Sequence, residues 1–325
     1  MRILLTGANG FVGSHVAEAL VEQKHEVTAI VRKTSNLAWL SSLPLIYKYG
    51  DLSDKRFLEI CSKDADVVIH CAGVVRAMDK DGYFKSNVDY TKNFCEAVLA
   101  SNPNLKKFIF ISSQAAMGPS LSNKPKLLTE RETPVSDYGL SKLAAEGVVK
   151  SVLGGKVPYT IIRPASVYGP RDKDIFIFFN LIHKHLRPAT VERRLVQLVY
   201  VKDIAQGVVN SIENAQSDNK LYYLGNETPY TWTEMGKVIA ESVGKKAMPI
   251  PVPDFVFKFA GVAAQSFSYL TKKPAVLNRQ KITEMLQEYW LADNSAAKTD
   301  LKIEFTPLEI ASKITYNWYL RNHYF

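Results

Sequence analysis

Leu4-Leu5-Thr6-Gly7-Ala8-Asn9-Gly10-Phe11-Val12-Gly13 is the stretch that decides the fold of this 325-residue chain. The short apolar segment Ile3 to Leu5 has the character of a buried parallel strand. It runs straight into three glycines spaced three apart, and then into a helical pattern of Val12, Val16, Ala19 and Leu20. Glycine lets the chain turn tightly off a strand, lets the backbone approach a pyrophosphate, and lets a helix pack closely on a sheet. The helix N-terminus then offers free N–H groups and a partial positive charge to phosphates. A glycine turn with a strand before it and a helix after it predicts a dinucleotide site.

A second strand follows at Glu26 to Val31. About twenty positions past the glycines stands the residue that reads the adenosine ribose. Here it is Arg32, followed by Lys33. An acidic side chain at that place accepts from a ribose 2′-hydroxyl, whereas a cation favours a 2′-phosphate. NADP(H) is therefore the preferred cofactor, with NAD(H) as the alternative.

From there the first half alternates. Apolar segments at Leu45–Tyr49, Asp66–His70, Lys107–Ser112 and Tyr159–Arg163 are separated by helical patterns near Lys55–Ser62, Tyr83–Ser101 and Ser136–Leu153. Such alternation implies right-handed crossovers and a parallel sheet with helices on both faces. Past Pro164 the rhythm breaks. Phe176–Arg187 reads as an amphipathic helix and Leu195–Tyr200 as a strand. Val201 begins another helix with Asp203 as its N-cap. From about Leu221 the segments are shorter and richer in proline and aromatic residues. The expected fold is α/β: a Rossmann-type doubly wound parallel sheet with a smaller, mostly C-terminal substrate-binding lobe. Residues 1–164 and about 196–217 would form the dinucleotide-binding part, and about 165–195 and 218–325 the lobe.

The chain is 46% hydrophobic, enough for a large core, and its net charge is +9. The cations are scattered, and no zinc-finger or RNA-recognition pattern appears, so a polyanionic cofactor explains the charge better than nucleic acid. Cys61, Cys71 and Cys95 show no CxxC spacing and suggest reduced thiols. The apolar run after Met1 is too short for a secretory leader, and no stretch reaches the length of a membrane span, so a cytoplasmic location is expected. Phe255 to Ala264, broken by Lys258, reads as a pocket wall or core helix, with contact to a membrane surface as the alternative. His183 and His185 are two apart, the wrong spacing for a helical metal pair. HExxH, GxSxG and a complete P-loop are missing from the sequence, so no metal site is expected.

Three features sit where strands end. Phe110-Ile111-Ser112-Ser113 ends a strand in two hydroxyls. Tyr138-Gly139-Leu140-Ser141-Lys142 opens a long helix, and its spacing puts the tyrosine and lysine on one helical face. An ammonium beside a phenol favours the phenolate, so Lys142 is expected to pull Tyr138 below its usual value. Such a tyrosine exchanges a proton with an alcohol or ketone, while Ser113 donates to the same oxygen. The third feature, Arg163 to Pro170, would line the nicotinamide side.

Together these elements resemble the extended short-chain dehydrogenase/reductase family. The matching motifs are Thr6 to Gly13, Gly50-Asp51-Leu52, His70-Cys71-Ala72-Gly73, Asn87 to Thr91, Ser112-Ser113, Tyr138 to Lys142 and Arg163 to Pro170. Trp290–Asp293 and Leu301–Pro307 extend the likeness to nearly the whole chain. The resemblance implies that Gly7, Asn9, Gly10, Phe11, Val12 and Gly13 hold the pyrophosphate, and that Asp51 and Leu52 flank the adenine. Ala72 and Gly73 would lie under the ribose, with Asn87 beside the nicotinamide and Pro164 and Ser166 at its carboxamide end. Ser113, Tyr138 and Lys142 would be the catalytic set, Lys142 also bonding the nicotinamide ribose. A homodimer built on the two long helices is common in that family.

Two departures narrow the branch. Met117 stands where sugar-nucleotide members place a tyrosine. The strand Leu195 to Val201 lacks the arginine that such members aim at a diphosphate, and Arg193 and Arg194 are out of that register. With Phe255, Phe257, Phe259, Phe267, Tyr269 and Leu270, this resembles the hydroxysteroid dehydrogenase and dihydroflavonol reductase branch. The expected activity is carbonyl–alcohol interconversion on a fairly apolar small molecule. The rivals are a nucleotide-sugar epimerase or dehydratase and a non-catalytic cofactor sensor, the latter disfavoured by a complete triad.

Overall fold

A computed structural model describes residues 1–190, 194–256, 271 and 279–325. The first half runs β1 (Arg2–Thr6), α1 (Phe11–Glu22), β2 (Glu26–Val31), β3 (Ile46–Tyr49), α2 (Lys55–Ser62), β4 (Val67–His70), α3 (Lys80–Phe84), α4 (Tyr90–Ser101), β5 (Lys107–Ile111), α5 (Gln114–Met117), α6 (Asp137–Leu153) and β6 (Tyr159–Pro164). These six strands and Lys220–Leu224 form one parallel sheet in the order 220–224, β6, β5, β4, β1, β2, β3. The chain builds outward from β1 to β3, then returns to β4 on the other side. The switch point therefore lies between β1 and β4, where ligands of such sheets bind at the carboxyl ends.

The central strands β4 and β5 are buried at every residue, as near-continuous apolar runs in a two-sided sheet must be. One face packs Val16, Ala17 and Leu20 of α1 with Ile204 and Val208 of the helix Val201–Ile212. The other packs Leu58, Phe94, Val98, Ala145 and Val149 from α2, α4 and α6. A third, aromatic cluster joins Tyr168, Phe178, Phe179, Tyr200, Met235 and Tyr319 in the second half of the chain. His70 crosses the switch point as a buried structural residue. Its Nδ1 is 2.7 Å from Thr6 Oγ1 and its Nε2 3.0 Å from Thr91 Oγ1, and burial, then Lys142, drive its pKa down to about 3.

Four local expectations change. Phe176–Arg187 is not one helix: the helix ends at His183, and Leu186–Ala189 is a strand paired with Met248–Pro251. Leu195–Tyr200 is cut at Gln197, whose side chain bonds Asn226 and Ala292, so the two halves enter different small sheets. Asp203 lies inside its helix, where its carboxylate accepts from the Thr306 N–H and hydroxyl; Tyr200 holds the N-cap position. Leu221 belongs to the large sheet and not to the lobe, because Lys220–Leu224 pairs along β6. Of the apolar, aromatic tail, Phe257 to Leu270 lie outside the described residues, as does Arg193.

Behind β5 and β6 sits a buried ion pair. Glu146 on α6 is fully buried and receives Arg163 Nε at 2.8 Å and Nη2 at 2.6 Å, plus the Ser112 hydroxyl. Arg163 also donates to Tyr223 Oη at 2.8 Å and Glu132 at 3.2 Å. Its side chain is thus spent on this knot, which corrects the expectation that it lines the nicotinamide side. Removing one partner strands a buried charge, so Glu146→Gln should cost about 3–5 kcal/mol in denaturant unfolding. A loss below about 1 kcal/mol would show that the pair does not hold these strands.

Candidate active site

The turn after β1 is built by backbone contact. Gly7 has φ +72°, and a Cβ on it would lie 2.6 Å from Ala72 N. A Cβ on Gly13 would lie 2.1 Å from Gly7 O. The only side chain compatible with both is hydrogen. Gly10 N donates to Gly7 O at 2.9 Å, and Thr6 Oγ1 accepts from Ala72 N at 3.3 Å, which locks the turn to the end of β4. Gly10 is the N-cap of α1 and supplies no side-chain cap. The N–H groups of Phe11 and Val12 therefore stand free of a capping oxygen, with half-buried Asn9 beside them, so these residues fit a pyrophosphate.

Across the switch point stands the proposed catalytic set. Ser113 caps α5, accepting from Ala115 N at 3.1 Å, and its hydroxyl stands near enough to the Tyr138 phenol to lower its pKa. Tyr138 lies in the first turn of α6, whose N-cap Ser136 accepts from Gly139 N at 3.0 Å. Lys142, one turn on, is buried. Its Nζ donates to Ile111 O at 2.6 Å and lies 4.4 Å from the centre of the Phe110 ring. Burial drives its pKa down to about 8, against the raising influence of Glu146 and Cys71. Gly73 leaves room at the same spot: a Cβ there would lie 3.0 Å from Asn87 Oδ1 and 3.7 Å from Lys142 Nζ.

Asn87 sits on a π-helical turn, Lys85–Asp89, inside what sequence periodicity predicts as one helix, Tyr83–Ser101. Such turns cluster at functional sites. Its Nδ2 donates to Val74 O (3.1 Å) and Ser141 Oγ (2.9 Å), and its Oδ1 accepts from Val74 N (2.8 Å).

Tyr138 corrects one expectation. Its phenol is pushed up to about 12, not pulled down. Burial dominates, the nearby Ser113 hydroxyl opposes it, and Glu284 and Tyr83 add to the rise. Lys142 does not offset this, because its ammonium is turned onto the Ile111 carbonyl.

The adenosine end is more open. Arg32 and Lys33 are exposed just past β2, and Arg32 N donates to Ser35 Oγ at 3.1 Å. The Asp51 carboxyl lies below its ordinary value, first through the Ser53 hydroxyl and N–H, then through the charges of Arg32 and Lys85. Leu52 packs on the second core layer and its carbonyl accepts from Asn93 Nδ2 at 3.3 Å. Pro164 ends β6, which pairs with β5 just before Ser113. Ser166 lies apart from that edge, in a two-stranded sheet opposite Leu198.

Sequence reasoning missed Glu284, whose carboxylate accepts from the Ser136 hydroxyl at 2.5 Å. Its helix, Arg279–Met285, also binds the start of α6 through Gln280 Oε1, which accepts from Asp137 N at 2.7 Å. A contact spanning that much chain leaves no local signal. Tyr83, whose ring centre is 6.1 Å from that of Tyr138, is likewise unannounced. Met117 is fully buried against Tyr223 and Ala292 and does not face the site. Arg194 is bonded to both Asp254 oxygens (2.8 and 2.5 Å) and to Leu286 O.

Comparison with known proteins bears on the family and the fold. A ceramide reductase from Caulobacter vibrioides is 28% identical over 318 residues, covering 98% of this chain and 94% of its own. A UDP-glucose 4-epimerase from Vibrio cholerae is 29% identical over 271 residues, covering 80% and 81%. The crystal structure of the Thermotoga maritima UDP-glucose 4-epimerase with UDP-glucose has the same fold, with a TM-score of 0.80 at 22% identity over 99% of this chain and 100% of that one. The family model described as "NAD dependent epimerase/dehydratase family" matches residues 3–225. The chain belongs to the NAD dependent epimerase/dehydratase family.

Proposed function

We propose that this member of an NAD-dependent enzyme family interconverts a carbonyl and a secondary alcohol on a fairly apolar small molecule, with NADP(H) preferred over NAD(H). The observation that carries the reading is the convergence of the buried Lys142 ammonium, Asn87 and Gly73 at one spot, with Tyr138 one turn before Lys142 on α6 and the Ser113 hydroxyl near enough to the phenol to lower its pKa. The commitment of Arg194 to Asp254 supports an apolar substrate, since it leaves that guanidinium occupied. The likeness to a ceramide reductase along nearly the whole chain points the same way. Residues 1–164 and about 196–224 would hold the cofactor, and the rest would shape the substrate pocket.

The nicotinamide, when bound, supplies or accepts a hydride. Tyr138 gives a proton to the carbonyl oxygen in reduction and takes one from the alcohol in oxidation, and Ser113 orients that oxygen. Lys142, once released from the Ile111 carbonyl, would hold the nicotinamide ribose and support the phenol. Arg32, with Lys33 beside it, would hold the 2′-phosphate. The outer face of α6, with Leu140 exposed and Gly147 open, supports a homodimer through the long helices. A cytoplasmic location goes with this reading.

Arg32→Ala should erase at least tenfold of the NADPH-over-NADH preference, since a charge-assisted contact is worth about 1.5–3 kcal/mol. Equal affinity of the parent protein for both cofactors would sink the preference. Tyr138→Phe should keep cofactor binding and lower turnover by about 10²–10⁴-fold, whereas Ser113→Ala should be milder. Lys142→Met should reduce both turnover and cofactor affinity. Full turnover in Tyr138→Phe would overturn the mechanism.

Glu284→Gln removes a negative charge facing Tyr138. The phenol should then ionise at lower pH, moving the rising limb of the oxidation profile toward neutrality. An unmoved pH profile would show that Glu284 does not reach the phenol. The similarity to a UDP-glucose 4-epimerase favours a second reading, a nucleotide-sugar epimerase, which needs the same groups. Mass spectrometry of the purified protein separates the two: tightly held NAD with no net reduction of apolar carbonyls selects the epimerase.

A further inference from the structure

The strand Met248–Pro251 stands away from the site, paired in parallel with Leu186–Ala189. It and the residues that follow present large apolar side chains to solvent: Met248 is 65% exposed, Ile250 36%, Phe255 70% and Val256 42%. Singly such residues need no account, but four within nine positions call for one.

The edge of this ribbon that no described strand pairs with is chemically specific. Met248 N donates to His185 O at 2.8 Å and Val252 N to Ala189 O at 2.9 Å, so positions 248, 250 and 252 face the neighbouring strand. The outward positions are Pro249, Pro251 and Pro253, and none has an N–H. An edge without donors cannot template a further strand, which disfavours a partner that docks by strand addition. It also removes the donor half of the penalty for taking a sheet edge out of water.

The surroundings are mostly basic. Segments 175–190 and 243–253 hold Lys184, Arg187, Lys245 and Lys246 and no acidic residue, and the acid just before the second segment, exposed Glu241, lies 3.9 Å from Lys237. His185 Nδ1 lies 2.9 Å from Lys246 O, which ties the two basic corners together. His183 is held below its ordinary value by burial and then by Lys245, His185 and Lys184, so these charges converge on one point. The nearest following acid, Asp254, is paired with Arg194.

We propose that this ribbon is a peripheral membrane contact: Met248, Ile250, Phe255 and Val256 enter the interface of an anionic bilayer while Lys184, Lys245 and Lys246 meet lipid phosphates. Apolar side chains ringed by lysine suit the headgroup boundary, where cations snorkel to the phosphates. The inference is independent of the proposed chemistry, although an apolar substrate would gain access through it.

Vesicle co-sedimentation of the full chain tests it, comparing phosphatidylcholine with phosphatidylcholine containing phosphatidylglycerol. The chain should partition onto the anionic vesicles. It should leave as salt rises from about 0.1 to 1 M and the screening length falls from about 10 to 3 Å. Lys245→Glu with Lys246→Glu should weaken partition by at least roughly tenfold, and Met248→Ser with Phe255→Ser should do likewise, both at an unchanged thermal unfolding midpoint. Absence of partition onto anionic vesicles, or partition that neither double variant weakens, would overturn the proposal. So would a fall to half the parent's mass in the Met248→Ser, Phe255→Ser variant, which would make the patch a contact between two copies.

Discussion

Everything functional here hangs on one steric constraint, the contact of three backbone segments at the switch point. The positions of absent Cβ atoms at Gly7 and Gly13 fall 2.6 Å from Ala72 N and 2.1 Å from Gly7 O. That contact sets α1 directly over the ends of β1 and β4. It aims an uncapped helix N-terminus into the crevice, a short distance from where β5 delivers Ser113. Any side chain at either glycine would push α1 off the sheet and separate the end proposed to bind the anion from the end proposed to move the proton.

The second constraint is electrostatic. Lys142 and Glu146 occupy one face of α6, one turn apart, and both are buried. Glu146 is neutralised by Arg163, whereas the Lys142 ammonium has a carbonyl and an aromatic ring in place of a carboxylate. Its folded pKa, about 8, lies below the ordinary 10.5. Between those values the unfolded chain holds the extra proton, so this group's penalty on stability relaxes as pH rises through that window. A buried cation without a formal counter-charge is costly to the fold, and its position beside Asn87 and Gly73 gives that cost a purpose.

The sheet and the glycine turn were legible because both are written in local periodicity: buried parallel strands are short apolar runs, and the turn needs glycine at fixed offsets. The Tyr138–Lys142 pair was legible for the same reason, since helical spacing places both on one face. Burial, not spacing, then decides their charges, which is why the expected direction for Tyr138 was reversed. What local patterns could not show depended on distant partners. Gln197 breaks a strand by bonding Ala292, Asp203 becomes the anchor of Thr306, and Glu284 reaches the start of α6 from the far end of the chain. An apolar run such as Phe176–Arg187 reads as a helix until a second strand offers the backbone of its last residues a better set of partners.

The high pKa of Tyr138 bears on the direction of chemistry. A phenol held near 12 is fully protonated at neutral pH and is poised to give a proton, the task required when a carbonyl is reduced. To take a proton from an alcohol it must first be stabilised as phenolate, and among the described groups the buried ammonium of Lys142 is the one placed to do so. That requires Nζ to leave the Ile111 carbonyl, where it is held at 2.6 Å. The two directions therefore ask different things of the same side chain: reduction can proceed with Lys142 parked, whereas oxidation needs it moved. Under the proposed chemistry, reduction would therefore ask the smaller rearrangement of this site, and oxidation the larger one.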